Sequence, residues 1–192
     1  VPLDYSQNFD GPAHGFTLNN GTQTNKWVVG SAVSSSPNNS LYVSNDNGAT
    51  NAYSHTTSTV HAYRDIQMPA SVEQVKLTFD LKSGGESTYD YVRVWLVPST
   101  FVPTPGTLIT AANSGGVQLG GNYNLTPDWT NQTAIVNATT FGGSIRRLIF
   151  EWRNDSGGGV QPAGAIDNVN LAVVTCPSPS ALTLGPLTET QA

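Results

Sequence analysis

One cysteine, Cys176, is all that this sequence offers for disulfide chemistry, so no disulfide can close within the chain. Stability must come from a packed core, with bound metal ions as the other available staple. Cations are scarce: eight Lys and Arg face 13 Asp and Glu, giving a net charge of -5, and the eight are scattered. That excludes the basic patch that nucleic acid requires. No run of about 18 apolar residues occurs, and the longest candidates, "YVRVWLV" and "LAVV", fit strands rather than membrane spans. The opening "VPLDYSQ" has no basic stretch followed by an apolar one, so any signal peptide is expected to be already removed or to lie upstream. Catalytic signatures are missing as well. There is no G-x-S-x-G, Cys176 sits among prolines rather than beside a histidine, and His14, His55 and His61 lack H-E-x-x-H spacing. No residue is assigned a catalytic role, and the chain is read as a non-enzyme.

What is present is a polar, turn-rich chain. Charged residues make up 11% and hydrophobic residues 38%, with Gly, Asn, Ser and Thr abundant and β-branched and aromatic residues recurring throughout. That balance fits an extracellular β-type module rather than a disordered segment. Short alternating runs between Gly, Pro and Asn clusters extend from end to end. In "VKLTFDLK", Val75, Leu77, Phe79 and Leu81 share one face; in "DYVRVWLV", Val92, Val94 and Leu96 do; in "RRLIFEWRN", Leu148, Phe150 and Trp152 do. Further strands are expected in "YSQNFD", "GFTLN", "KWVVG", "SLYVS", "TVHAYRDI", "GTLIT" and "NQTAIVNA". So many short strands predict an all-β fold, a jelly-roll β-sandwich of two antiparallel sheets over residues 1–174. From 175 to 192 closely spaced prolines introduce one apolar strand. This segment is expected either to pack on the domain or to begin another.

The acidic residues carry the sharpest question. A period of two through "AIDNVNLAV" puts Asp167, Val169, Leu171 and Val173 on one face, so a carboxylate heads a row that should point into the core. A buried carboxylate needs a cation or a set of hydrogen bonds. "NFDG" ends an expected strand in Asp10, "SNDNG" holds Asp46 in an oxygen-rich turn, and "GGESTYDY" brings Glu86 and Asp90 to a strand head. Calcium accepts carboxylate and carbonyl oxygens from several strand ends, so these residues are candidate ligands. The alternative for each is turn formation or N–H capping. A separate candidate is the row Tyr91, Arg93 and Trp95, opposite Val92, Val94 and Leu96. If open, it could stack on sugar rings or anchor a protein; otherwise a loop covers it.

The order "YSQNFDG", "GFTLNN", "KWVVG", "SLYVSNDNGATNAY", "KLTFDLKSGGESTYDYVRVWLVP" and "RRLIFEWRNDSGG…AGAIDNVNL" resembles the cleaved-adhesin and choice-of-anchor J modules of Bacteroidetes surface proteins. These are MAM-like modules that also occur in gingipain haemagglutinin regions. The resemblance spans about residues 5 to 174, and the tail "CPSPSALTL" resembles the entry strand of a fibronectin type III domain. It implies a jelly roll that is secreted or on the cell surface, commonly exported by type IX secretion. It further implies a non-catalytic adhesion module with structural calcium, within a larger multidomain protein, binding a surface glycan or protein ligand. A carbohydrate-binding or spacer domain of a secreted hydrolase is the alternative. The acidic positions of the resemblance fall on Asp10 and Asp167; where a second acidic residue often follows the latter, this chain has Asn168. Asp167 is then expected to bind a cation that ties the last strand to the first.

Overall fold

The computed structural model describes residues 1–174; the tail expected to start a fibronectin type III-like domain lies outside the described residues. Eleven strands follow in order: β1 (Tyr5–Gln7), β2 (Thr17–Asn19), β3 (Lys26–Gly30), β4 (Ser40–Ser44), β5 (Ser58–Gln67), β6 (Gln74–Ser83), β7 (Tyr91–Pro98), β8 (Val117–Tyr123), β9 (Thr126–Asn137), β10 (Ile145–Asn154) and β11 (Ala165–Val173). A short helix, α1 (Ala111–Ser114), and a single 3-10 turn (Thr139–Phe141) interrupt them. The strands form two antiparallel sheets. One has five strands in the order β2-β5-β10-β7-β8; the other runs β3-β4-β11-β6-β9, with β1 as a sixth strand also paired to β11. This is the expected jelly-roll sandwich.

The alternation legible in the sequence places the core between the sheets. Val75, Leu77, Phe79 and Leu81 from β6 meet Val92, Val94 and Leu96 from β7 and Leu148, Phe150 and Trp152 from β10. Aromatic edges lock the two layers: Phe79 meets Phe150 with ring centroids 5.5 Å apart at 71°, and Tyr123 at 5.3 Å and 84°. Burying each such side chain stabilises the fold by about 1.5–3 kcal/mol. The two tryptophans of this core find partners for their indole N–H groups. Trp27 donates from Nε1 to the Val60 carbonyl at 3.1 Å, and Trp152 Nε1 donates to Asn154 at 3.1 Å.

Three expectations change. "GTLIT" is not a strand: Ile109 packs against Trp95, Val97 and Ile149, and Thr110 caps α1 in a reciprocal capping box with Asn113. The strand β8 was hidden by its glycines, and Gly120 takes a left-handed backbone (φ 72°) that loosens the alternation. The third change concerns Asp167. The register between β11 and β6 slips between Asp167 and Asn170, and Asn168 at the slip has φ 47°. Such a bulge reverses the facing of everything before it. Ile166, opposite Leu81, therefore joins the core, while Asp167 lies opposite Asp80 on the outer face of the sheet.

Candidate functional site

Asp167 has no exposed surface although it faces outward, because the 33–39 segment folds over it. On the edge of β11 away from β6, β1 pairs with residues 169–171 and β4 with 165–166, leaving 167 and 168 without a strand neighbour on that side. The segment fills this gap. Ser35 and Ser36 donate their backbone N–H groups to Asp167 Oδ2 at 2.9 and 3.0 Å, and Asn168 donates its own to Oδ1 at 2.8 Å. Asp10, just past β1, accepts the N–H groups of Asn38 and Asn39 on the same segment. Burial raises the Asp167 carboxyl above its usual range despite these N–H donors, and the nearby Asp10 charge adds to the shift. The two aspartates singled out in the sequence thus anchor the same segment.

Asp46, Glu86 and Asp90 do not join them. Asp46 follows β4 while Asn38 and Asn39 precede it, and five strand residues span about 16 Å. There Asp46 accepts from the Ser44 hydroxyl at 2.6 Å and the Thr50 hydroxyl at 2.7 Å, which hold it down to about 2. Asp90 is fully buried, accepting from Tyr53 Oη at 2.7 Å and from the Asp155 N–H at 3.1 Å. Burial pushes its carboxyl up, and Asp155 adds to this. Glu86 lies in the same region, pairing its backbone with Asp90. The five residues therefore do not gather at one place, and among the described residues there is no group of three or more His, Cys, Asp or Glu side chains that could hold a metal.

The row Tyr91, Arg93 and Trp95 faces outward on the five-stranded sheet, as its parity predicts, but it is covered. Trp95 retains 4% of its surface and Tyr91 6%. The connection from Phe101 to α1 lies on top, with Ile109 packed on Trp95 and Ile149. Beneath it, Glu151 is completely buried: Arg93 donates to Glu151 Oε1 at 2.6 Å, and the Ile109 N–H and His61 Nε2 approach Oε2 at 2.7 and 3.2 Å. Arg93 also donates to the Ile109 carbonyl at 2.8 Å. The row is thus a buried anchor for this connection, not an open ligand platform. His61 is one of the residues sealed beneath it.

The cover reaches Asn19 of β2, which donates to the Pro103 carbonyl at 2.7 Å, but stops short of the Thr17 end of that strand. There Gly15, Thr17, Tyr63, Arg64, Asp65 and Arg147 line an open pocket of about 320 Å³. Asp65 and Arg147 are cross-strand partners joined by two parallel bonds, Nε to Oδ1 at 2.7 Å and Nη2 to Oδ2 at 3.0 Å. Arg147 spends its remaining arm on the Phe101 carbonyl at 2.8 Å. The sequence analysis did not single out these residues. The alternation of "TVHAYRDI" does place His61, Tyr63 and Asp65 on one face, but nothing in it says which half of that face stays open.

No protein-family model matches the chain, and no curated protein matches it. Solved structures do. The xylan-binding domain CBM22-2 of Xyn10C from Paenibacillus barcinonensis is 14% identical, with 88% of this chain and 99% of that one covered and a TM-score of 0.53. The K1 cleaved adhesin domain of Lys-gingipain from Porphyromonas gingivalis is 14% identical over 90% and 99%, with a TM-score of 0.52. The enzymatically active domain of tailspike protein 4 from bacteriophage CBA120 is 13% identical over 88% of this chain, which spans 20% of that one, with a TM-score of 0.52. These likenesses define the fold, a jelly-roll β-sandwich seen in carbohydrate-binding and adhesin domains. Fold alone does not separate binding from catalysis, since one of the three is an active enzyme domain.

Proposed function

We propose that this chain is a non-catalytic, adhesin-type binding module of a larger secreted or cell-surface protein, and that its ligand is a glycan. The observation that carries the reading is the unequal cover of the five-stranded sheet. One part is sealed by the connection over Glu151 and Trp95, while the end of β2 and β5 around Thr17, Tyr63 and Asp65 is left open and polar. A rigid sheet presenting fixed polar groups in a concavity is the arrangement that small-molecule recognition uses. The xylan-binding and cleaved-adhesin likenesses support the same reading at the level of fold.

Structural calcium at Asp10 and Asp167 belongs to this proposal. Two carboxylates within reach of the amide-rich 33–39 segment form a donor set suited to a hard cation, and buried Asp167 has no cationic side chain bonded to it among the described residues. In the arrangement described, N–H groups already serve both Asp167 oxygens, so an ion there competes with them.

The test of function is binding of the purified chain to immobilised neutral and acidic oligosaccharides, with a denatured sample as control. Retention by the folded chain on at least one glycan is the expected result. Absence of retention across the set overturns the glycan reading.

A further inference from the structure

Resting on that glycan reading, we infer that the pocket formed by Thr17, Tyr63, Arg64 and Asp65 is a subsite for one neutral, hydroxyl-rich sugar unit, with the Asp65 carboxylate as its central acceptor. The volume, about 320 Å³, lies at the small end of ligand pockets, which run from about 300 to 1,000 Å³. That suits one sugar unit of a longer chain.

The chemistry of the lining specifies the ligand. Asp65 is fixed in place by the bidentate bond from Arg147, yet its side chain keeps 42% of its surface exposed against 10% for Arg147. An ionised carboxylate accepts but cannot donate, so its free lone pairs seek O–H or N–H donors. A pair of neighbouring sugar hydroxyls supplies two. Arg147 is a poor anion site, because three of its five N–H donors are directed at Asp65 and at the Phe101 carbonyl and only 10% of its side-chain surface is exposed. Its guanidinium also lies 4.3 Å from the centre of the Tyr63 ring, so one face of that ring is already taken. Recognition therefore runs through hydrogen bonds rather than stacking on an open aromatic platform.

Arg64 completes the pocket from the opposite side. Its Nη1 donates to the His14 carbonyl at 3.3 Å, and the guanidinium lies against Gly15, where an added Cβ would fall 1.1 Å from Nη1. Gly15 has φ 68°, so both its backbone and its missing side chain keep this approach open. Arg64 thus offers donors to sugar oxygens beside the exposed hydroxyl of Thr17. A polyanionic glycan is disfavoured by the exposed Asp65 charge and by the net charge of -5 on the whole chain.

The experiment is an amide-resolved NMR titration of the chain with neutral xylo-, manno- and galacto-oligosaccharides and with oligogalacturonate, repeated on Asp65→Asn and Thr17→Ala. The expected result is saturable shifts centred on residues 15–17 and 63–65 with a neutral oligosaccharide and not with oligogalacturonate. Loss of a charge-assisted hydrogen bond should weaken binding at least about tenfold in Asp65→Asn, and loss of a neutral one about two- to tenfold in Thr17→Ala. Thr17 is exposed, so that variant reports on binding even if Asp65→Asn loosens β5 against β10. Shifts mapping elsewhere, unaffected by both variants, overturn the subsite while leaving the glycan reading intact. Preference for oligogalacturonate overturns the neutral assignment. No binding by any oligosaccharide overturns both.

Discussion

Asp80 and Asp167 stand directly opposite each other on neighbouring strands, two carboxylates on the outer face of the six-stranded sheet with no cation bonded to either among the described residues. Like charges at such a cross-strand position repel. Two residues offset the repulsion by donating to both carboxylates at once. Ser35 gives its N–H to Asp167 and its hydroxyl to Asp80 at 2.8 Å; Asn168 gives its N–H to Asp167 and its side-chain amide to Asp80 at 2.8 Å. Burial opposes ionisation of Asp80, but the donors from Asn131, Asn168 and Ser35 outweigh it and keep the carboxyl below its usual range.

The bulge makes this possible, so Asn168 is its most sensitive position. A β-branched residue there meets the left-handed backbone at a cost of about 1–2 kcal/mol and loses the bonds to Asp80 and Ser36. Asn168→Val is expected to destabilise the fold by about 2–4 kcal/mol in urea unfolding. Asn168→Gly should be milder, since it keeps the backbone geometry. Equal losses would show that the backbone contributes nothing.

Calcium provides a second prediction. After exhaustive chelation the melting temperature should fall and should recover with calcium but not with magnesium, because an ion bound only to the folded state adds stability by mass action. Asp167→Ala should melt lower and no longer respond. A melt indifferent to chelation means that the N–H groups of Ser35, Ser36 and Asn168 serve this carboxylate unaided.

Glu151 offers a test of the sealed half-face. Removing it leaves Arg93, His61 and the Ile109 N–H without their shared acceptor in a buried setting. Glu151→Ala is expected to cost about 3–5 kcal/mol. Exposure of Trp95 should follow, seen as quenching of its fluorescence by iodide. Unchanged quenching would show that Ile109 and Phe101 hold the cover by packing alone.

The pH dependence at Asp90 has a sign fixed by its burial. Its carboxyl is raised above 3.8 in the folded state, so the fold binds this proton more tightly than the unfolded chain does. The associated stability is complete below pH 3.8 and is lost as pH rises through the folded value. Asp90→Asn can accept from Asp155 and donate to Tyr53 without titrating. Its stability relative to the parent chain should therefore increase from pH 3 toward pH 7. A difference that stays flat across unfolding curves at several pH values would contradict this. Asp46 has the opposite sign: held down to about 2, it contributes above 3.8 and loses that contribution as pH falls toward about 2.

Much of the fold was legible because a strand with one buried face writes its alternation into the sequence, as β6 does. The inward reading of Asp167 failed for a physical reason. A bulge inserts one residue and reverses parity, and Asn168 is among the few non-glycine types that tolerate the required backbone, yet an Asn in an Asn-rich chain is no signal. The row at Tyr91, Arg93 and Trp95 is a different case, left open between a free platform and a covered one. Its facing was right, but cover by a connection some ten residues downstream is a tertiary fact that alternation does not encode. Asp80 was visible on the polar face of "VKLTFDLK", but its partnership with Asp167 required the register.

The position of β11 also governs the order in which the domain can be completed. It pairs with β6 on one side and with both β1 and β4 on the other, so three earlier segments wait on residues 165–173 for their hydrogen bonds. During synthesis from the N-terminus, the six-stranded sheet cannot close until this strand has left the ribosome. Until then β1, β4 and one edge of β6 stay open to other chains, and a partner that shields those edges until β11 arrives would protect the molecule at its most aggregation-prone stage.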